Sequence, residues 1–136
     1  MDPAEALTDL KQISTQVERA VVVRNDGTLE ASTLRDTAAA DRIARAACDL
    51  WQAADDARSA LGRPPLSQLE VATPEGSVFA VRDDERMICA VTAGDPTVGL
   101  IFYDLKTCLR NIAEEPVEAT VADPAGADEG GSDGEG

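Results

Sequence analysis

The side chains of this sequence that could do chemistry are few and widely separated. The chain contains no histidine, which excludes catalytic triads and metal sites built on imidazole. Its cysteines are Cys48, Cys89 and Cys108, which form no C-x-x-C pair, and three widely spaced cysteines make no disulfide framework. Because free cysteine is often buried, we expect these three to be small apolar core residues in a reducing compartment.

Two further stretches could act on a ligand. The segment 95–99, Asp-Pro-Thr-Val-Gly, could present the amides of a helix N-terminus to an anion, although helix capping alone explains it. Tyr103 and Asp104 precede Cys108 on the same predicted helix, but no histidine base is available to activate the thiol. The glycine-rich fingerprints of nucleotide sites are missing from the sequence. We therefore predict no catalytic residue, no cofactor-binding residue and no metal ligand, and so no enzyme.

The charge of the chain limits its partners. There are 26 acidic and 12 basic residues, for a formal net charge of −14. Nucleic acids and anionic membranes are also negatively charged, so we expect neither as a partner. No apolar run approaches the ~20 residues of a membrane span, and the N-terminus lacks the basic start of a signal peptide. The sequence therefore predicts a cytoplasmic protein.

The elements that must position any site are organised around a hairpin. Residues 20–23 are four consecutive apolar residues, and residues 25–27, Asn-Asp-Gly, form a turn signal. The following run, 28–32, alternates polar and apolar side chains as an edge strand does. A strand that is apolar on both faces needs cover on both sides, so we place the first strand inside a sheet with helices front and back.

Three helices are predicted around this sheet. Helix 1 is expected from about Pro3 to Val17, with Asp2 as its cap. Helix 2 is expected from Asp36 or Thr37 to Gly62. Helix 3 is expected to begin after Asp95-Pro96, a cap followed by proline at the first position, and to end before Pro116.

Helix 2 carries two apolar stripes about one residue apart. We expect the longer stripe to cover the sheet, and it comprises Ile43, Ala47, Leu50, Ala54, Ala57 and Leu61. The second stripe comprises Ala40, Ala44, Cys48 and Trp51. Its small residues and its terminal tryptophan favour contact with a partner helix, while a single wide core-facing surface is the alternative.

The remaining strands complete an α+β sandwich. Strands 3, 4 and 5 are expected at about 67–73, 77–82 and 86–92, with strands 4 and 5 apolar on both faces. Placing the weaker strands 2 and 3 outside gives a five-stranded antiparallel sheet of order 2-1-5-4-3. Helices 1 and 3 are expected on one face and helix 2 on the other. We expect one domain at 1–115 and a disordered acidic tail at 116–136, which lacks Lys and Arg.

Several of these segments together resemble the roadblock, or dynein light chain, domain family and its prokaryotic members. They are the hairpin AVVVRNDGTLEAS, the Ala-rich helix ending in ALG, the strand pair LEVATPEGSVFAVR, and MICAVTAGDPTVGLIFYDLKTCL. The resemblance covers about residues 4–114. It implies a profilin-like fold of the same element order as the one derived above.

The resemblance also implies a function. Family members are homodimers in which strand 3 pairs edge to edge and the two copies of helix 2 pack side by side. They are non-enzymatic scaffolds or regulators, and prokaryotic members often bind a small Ras-like GTPase. The interface predicted here comprises Ala40, Ala44, Cys48, Trp51, Leu69, Glu70 and Val71. Accordingly, Trp51→Glu is expected to weaken the dimer. The alternatives are a profilin-like or longin-like sensor of a small ligand, or an adaptor with no GTPase partner.

Overall fold

The computed structural model describes residues 1–114, which form three helices and five strands. The predicted acidic tail at 116–136 lies outside the described residues. In chain order the elements are α1 (Pro3–Ile13), β1 (Val17–Arg24), β2 (Leu29–Ser32), α2 (Thr37–Ala60), β3 (Gln68–Thr73), β4 (Gly76–Arg82), β5 (Arg86–Ala93) and α3 (Val98–Ala113).

The strands form an antiparallel sheet of order β2-β1-β5-β4-β3, which confirms the predicted topology. β1 lies inside the sheet, and its residues Val21, Val22 and Val23 are each 0% exposed. Val22 packs in a cluster with residues of α1 and α3, while Val21 and Val23 pack in a second cluster with residues of α2. The sheet therefore lies between two helical layers, as a strand that is apolar on both faces requires.

The predicted turn between β1 and β2 is confirmed. Gly27 has a φ of +96°, a conformation that a residue with a Cβ adopts only under strain. The Asp26 carboxylate accepts a hydrogen bond from the Thr28 amide at 2.9 Å. The positive φ of Gly27 and the Asp26–Thr28 hydrogen bond are local features that reverse the chain direction.

The predicted end of helix 1 is wrong. α1 begins as expected, with the Asp2 carboxylate accepting from the Ala4 amide at 2.8 Å. It ends at Ile13, and Val17 is the first residue of β1. Val17 is nevertheless buried in the same cluster as Leu7 of α1. The position of Val17 in the apolar pattern fits the end of α1 as well as the start of β1, because both elements bury apolar residues in the same core.

The predicted N-terminal cap is confirmed for α2 but not for α3. Asp36 caps α2 by accepting hydrogen bonds from the Ala38 and Ala39 amides at 3.0 and 3.3 Å. α3 begins at Val98, after Asp95-Pro96 as expected, but its cap residue is Thr97, and Asp95, with a φ of +59°, is not the cap. The Thr97 amide donates to the side chain of Gln16 at 2.7 Å, so a tertiary contact takes the place of the expected local cap.

A half-buried ion-pair network joins three strands at one end of the sheet. The Glu30 carboxylate of β2 accepts from Arg86 of β5 at 2.6 Å and from Arg24 of β1 at 2.8 Å. Burial by itself would raise the pKa of Glu30, but the hydrogen bonds from Arg86 and Arg24 outweigh burial and hold that pKa below its ordinary value of 4.5. The ionised form is therefore the one that the fold stabilises.

We expect Glu30→Gln to lower the free energy of unfolding by about 1–2 kcal/mol at neutral pH, because the poorly exposed Arg86 loses its closer charged partner and keeps only the exposed Glu85 at 3.4 Å. The folded-state pKa lies below the unfolded one, so this contribution is complete above pH 4.5 and is lost as the pH falls through the lower folded value. Urea denaturation at several pH values measures it. A difference between wild type and variant that persists at low pH would contradict the assignment.

The matched control for this variant is Asp41→Asn. Asp41 pairs with Arg45 at 3.1 Å on the surface of α2, where both side chains are largely exposed. Such pairs contribute less than about 0.5 kcal/mol, so this variant should unfold at nearly the wild-type urea concentration.

Candidate dimer interface

The predicted sheet-covering stripe of α2 lies on the sheet only in part, since Ala47 is buried and Ile43 half-buried there while Leu50 and Ala57 are exposed. Ala40, Ala44 and Trp51 are 1%, 1% and 2% exposed and pack on β1, β4 and β5. The two alanines have small side chains, which allow the helix axis to lie close to the sheet. The Arg82 guanidinium lies 5.9 Å from the centre of the Trp51 ring. The stripe that we assigned to a partner helix therefore covers the chain's own sheet.

A different apolar face of α2 is largely open to solvent, although Ile43 on this face is half-buried against the core. Its members follow alternating spacings of three and four residues, and they are Ile43, Ala46, Leu50, Ala53, Ala57 and Ala60. Leu50 is 36% exposed, and Leu61 just beyond the helix is 75% exposed. Spacing of this kind is typical of a seam between two helices that pack side by side. We call this set of six residues the outer stripe.

α2 also leaves part of the sheet uncovered. Val71 of β3, Val78 of β4 and Val91 of β5 are paired across the sheet, so they lie on one face. Val91 shares that face with Met87 and Cys89, which pack beneath α2. All three valines are only half-buried, whereas Met87 and Cys89 are buried. The α2 side of the sheet thus presents an apolar strip of three valines next to its edge.

β3 forms that edge. Among the described residues it pairs with β4 alone, which leaves one side of its backbone without a strand partner. The strand contains no proline, and its single charged residue is Glu70, which is exposed. Its apolar residues Leu69 and Val71 lie on the α2 side. Proline and multiple charges are the usual obstacles to edge pairing, and β3 has neither.

The seven residues predicted for the interface therefore fall into two groups. Ala40, Ala44 and Trp51 are internal to the subunit, and Cys48 is half-buried beside them. Leu69, Glu70 and Val71 lie on the open edge strand. The outer stripe was not recognised as one surface, although its spacing is present in the sequence. Three of its members, Ile43, Leu50 and Ala57, belong to the stripe that we expected to cover the sheet.

The residues that might do chemistry remain scattered in the fold. Burial raises the pKa of Cys89 and the pKa of Cys108 to about 12, and it also raises the pKa of the half-buried Cys48. These thiols are thus poor nucleophiles near neutral pH. Within residues 1–114 no group of three or more Cys, Asp or Glu side chains is arranged to hold a metal ion. No helix in that range is long and apolar enough to cross a membrane.

These features define an α/β sandwich that carries an open strand edge and an apolar helix face on the same side. The chain belongs to the Roadblock/LC7 domain family, whose sequence model matches residues 3–93. The match includes the outer stripe and β3 and ends with β5, before α3. No curated protein sequence matches the chain.

Solved structures of roadblock proteins have the same fold. A Roadblock/LC7 domain from Streptomyces avermitilis superposes with a TM-score of 0.76 at 16% identity, covering 83% of this chain and 96% of that domain. The gliding protein MglB from Thermus thermophilus gives 0.69 at 14% identity, covering 85% and 88%. An MglB structure with a tetrameric arrangement gives 0.70 at 14% identity, with the same coverages. At these identities the likeness extends to the fold alone.

Proposed function

We propose that this chain is a homodimeric, non-enzymatic regulator or scaffold of a small Ras-like GTPase. The observation that carries the proposal is the uncovered apolar side of the subunit, formed by the outer stripe of α2, the three half-buried valines and the open edge of β3. A stable monomer rarely exposes so much apolar surface on one side.

A second copy of the chain is well suited to cover this side. In a two-fold dimer the same surface occurs on both subunits, so a helix face of small residues meets an identical face. Pairing of β3 with its symmetry mate would satisfy the open backbone groups of both edge strands and extend the sheet to ten strands. The two contacts are compatible because both lie on the α2 side. Family membership and the tetrameric arrangement of an MglB relative support self-association.

The GTPase part of the proposal rests on the family. A Ras-like GTPase brings its own phosphate-binding loop and magnesium site, so a protein that regulates it needs no catalytic group. The scarcity of reactive side chains in residues 1–114 is compatible with such a role. We further propose that the protein acts in the cytoplasm, where a small Ras-like GTPase would be available to it.

The dimer is tested first, by sedimentation of the purified full-length chain at micromolar concentration. We expect a single species with twice the mass of the chain. A species with the mass of one chain over the whole concentration range would contradict the homodimer and leave the apolar side to another partner.

The GTPase is tested by co-sedimentation of the full-length dimer with small Ras-like GTPases of the same organism, each loaded with GDP or with a non-hydrolysable GTP analogue. Preferential binding of one nucleotide state, together with a changed hydrolysis rate, would support a regulator. Binding of both states without a rate change would indicate a scaffold. If no GTPase binds to a confirmed dimer, the alternatives are an adaptor for other proteins or a sensor of a small ligand.

A further inference from the structure

Another feature lies on the opposite side of the sheet, in the cleft between α1 and α3. The two helices run antiparallel and are joined at both ends. The Met1 amine donates to the Asn111 carbonyl at 3.0 Å. At the other end, the Thr97 amide donates to Gln16, and the Gln16 side-chain amide donates to the Thr97 hydroxyl, at 2.7 and 3.0 Å. The cleft between these ends is therefore a defined part of the fold.

Asp104 of α3 lines this cleft and is only 8% exposed. Its Oδ2 atom is buried and has no hydrogen-bond partner among the described residues. None of the four ion pairs formed within residues 1–114 includes Asp104. Leaving a buried carboxylate oxygen without a donor destabilises the folded state. The residue is therefore poorly explained by the stability of the subunit.

Among the described residues no cation lies within ion-pair distance of this carboxylate. The segment 116–136 contains no lysine and no arginine. The ammonium of Lys11 on α1 donates to the Glu18 carbonyl at 3.0 Å, and Lys106 on α3 is exposed. Asp9 also lines the cleft, and the Met1 ammonium at its end donates to the Asn111 carbonyl. The charge of the cleft is complementary to a positively charged group from another molecule.

The size of the cleft and the residues at its rim indicate which positively charged group fits it. Its volume is about 30 Å³, enough for one group the size of a water molecule. A lysine ammonium is compact, whereas an arginine guanidinium is a wide planar group. Ile13 lines the cleft and is 63% exposed, and Leu100, one turn before Asp104 on the same face of α3, is 49% exposed. The cleft thus combines an acidic floor with two exposed apolar side chains at its rim.

We propose that the α1–α3 cleft is a docking site for a lysine side chain carried on an apolar segment of a partner protein. The ammonium group donates to Asp104, and the apolar neighbours of the lysine pack on Ile13 and Leu100. The site lies on the side of the sheet opposite α2. It is therefore independent of the proposed dimer, and a partner is able to bind there while the α2 side is occupied.

The first experiment titrates the isotope-labelled full-length chain with short helical peptides and follows backbone amide shifts by NMR. The peptides share one leucine-rich sequence and differ only at a central position, which is Lys, Arg, Gln or Glu. We expect the Lys peptide to bind about tenfold more tightly than the Gln peptide, with the Glu peptide weakest. The largest shifts should fall on Ile13, Leu100 and Asp104. Equal binding of the Lys and Gln peptides, or shifts confined to α2 and β3, would overturn the proposal.

The second experiment repeats the titration with Asp104→Asn and with the matched control Asp49→Asn, a variant of an exposed aspartate on the polar face of α2. Asp104→Asn should abolish the preference for the Lys peptide. The variant should also unfold at the same urea concentration as wild type or at a higher one. The control should keep the preference. The assignment fails if Asp104→Asn retains it, if that variant unfolds at much lower urea, or if the Arg peptide binds as tightly as the Lys peptide. Dissociation of the unliganded oligomer by Asp104→Asn would identify a second copy as the occupant and would also overturn it.

Discussion

Replacing Trp51 with alanine is expected to lower the free energy of unfolding by about 3–5 kcal/mol, the usual cost of truncating a large buried aromatic residue. Trp51 is 2% exposed and packs between α2 and the centre of the sheet. Its removal opens a cavity lined by residues such as Cys89 and Met87 and also removes the ring beneath Arg82. Because Trp51 is the chain's single tryptophan, urea denaturation should be followed by circular dichroism and not by tryptophan fluorescence.

The matched control is Tyr103→Ala on α3. Tyr103 is also aromatic, but it is 64% exposed, so its truncation should change the free energy of unfolding by less than about 0.5 kcal/mol. Both variants should be compared at one protein concentration, since association of the folded chain adds to its apparent stability. A Trp51→Ala variant as stable as wild type would place the ring at a surface. This outcome would restore the original expectation that Trp51 contacts a partner helix.

The second large effect is expected at the neighbouring residue. Leu50→Glu should raise the dissociation constant of the proposed homodimer by roughly 100-fold or more, because the two-fold axis places two carboxylates in one apolar seam. The same change should alter the stability of the subunit little, since Leu50 is 36% exposed and lies away from the sheet. Sedimentation across a concentration series, combined with circular dichroism, separates the loss of association from the loss of folding.

Gln52→Glu is the matched control for the outer stripe. Gln52 lies on the polar face of α2, where its side chain donates to Asp56 at 2.8 Å, and the substitution adds the same charge to the same helix. It should leave the dissociation constant within a few-fold of wild type. If both glutamate variants weaken the dimer equally, general charge repulsion is the cause. If neither does, the outer stripe lies outside the interface.

Substitutions at the adjacent residues Leu50 and Trp51 are therefore expected to have different effects, the first on association and the second on stability. The difference depends on how α2 is rotated about its axis. Both apolar stripes of the helix are visible in the sequence, and each has the period of an amphipathic helix. Periodicity gives the angular width of an apolar face but not the identity of the element that covers it. The choice of Ala40, Ala44 and Trp51 for the sheet follows from shape, since two small residues let the helix approach and one large residue fills the space that remains.

The topology of the sheet, in contrast, was predictable from local information. Residues 20–23 are apolar without alternation, and burial on both faces places such a strand in the interior of a sheet. Turn chemistry at Gly27 and capping at Asp2 and Asp36 act over a few residues, so the sequence specifies them directly. The cap of α3 was missed because Gln16, about eighty residues earlier in the chain, bonds the Thr97 amide.

The features of the candidate sites also differ in whether the sequence alone predicts them. The open edge at β3 could be inferred from the sequence because Leu69, Glu70 and Val71 alternate like a half-exposed strand and lack proline. The half-covered valines and the unpaired Asp104 could not, since each depends on which surfaces the helices leave uncovered once they are packed. The sequence by itself thus determined the order of elements and the strand order, because these follow from short-range chemistry and from the number of faces that each strand buries. Only the tertiary structure decided which side of each helix meets the sheet, because that choice is made by the fit of side chains distant in the chain.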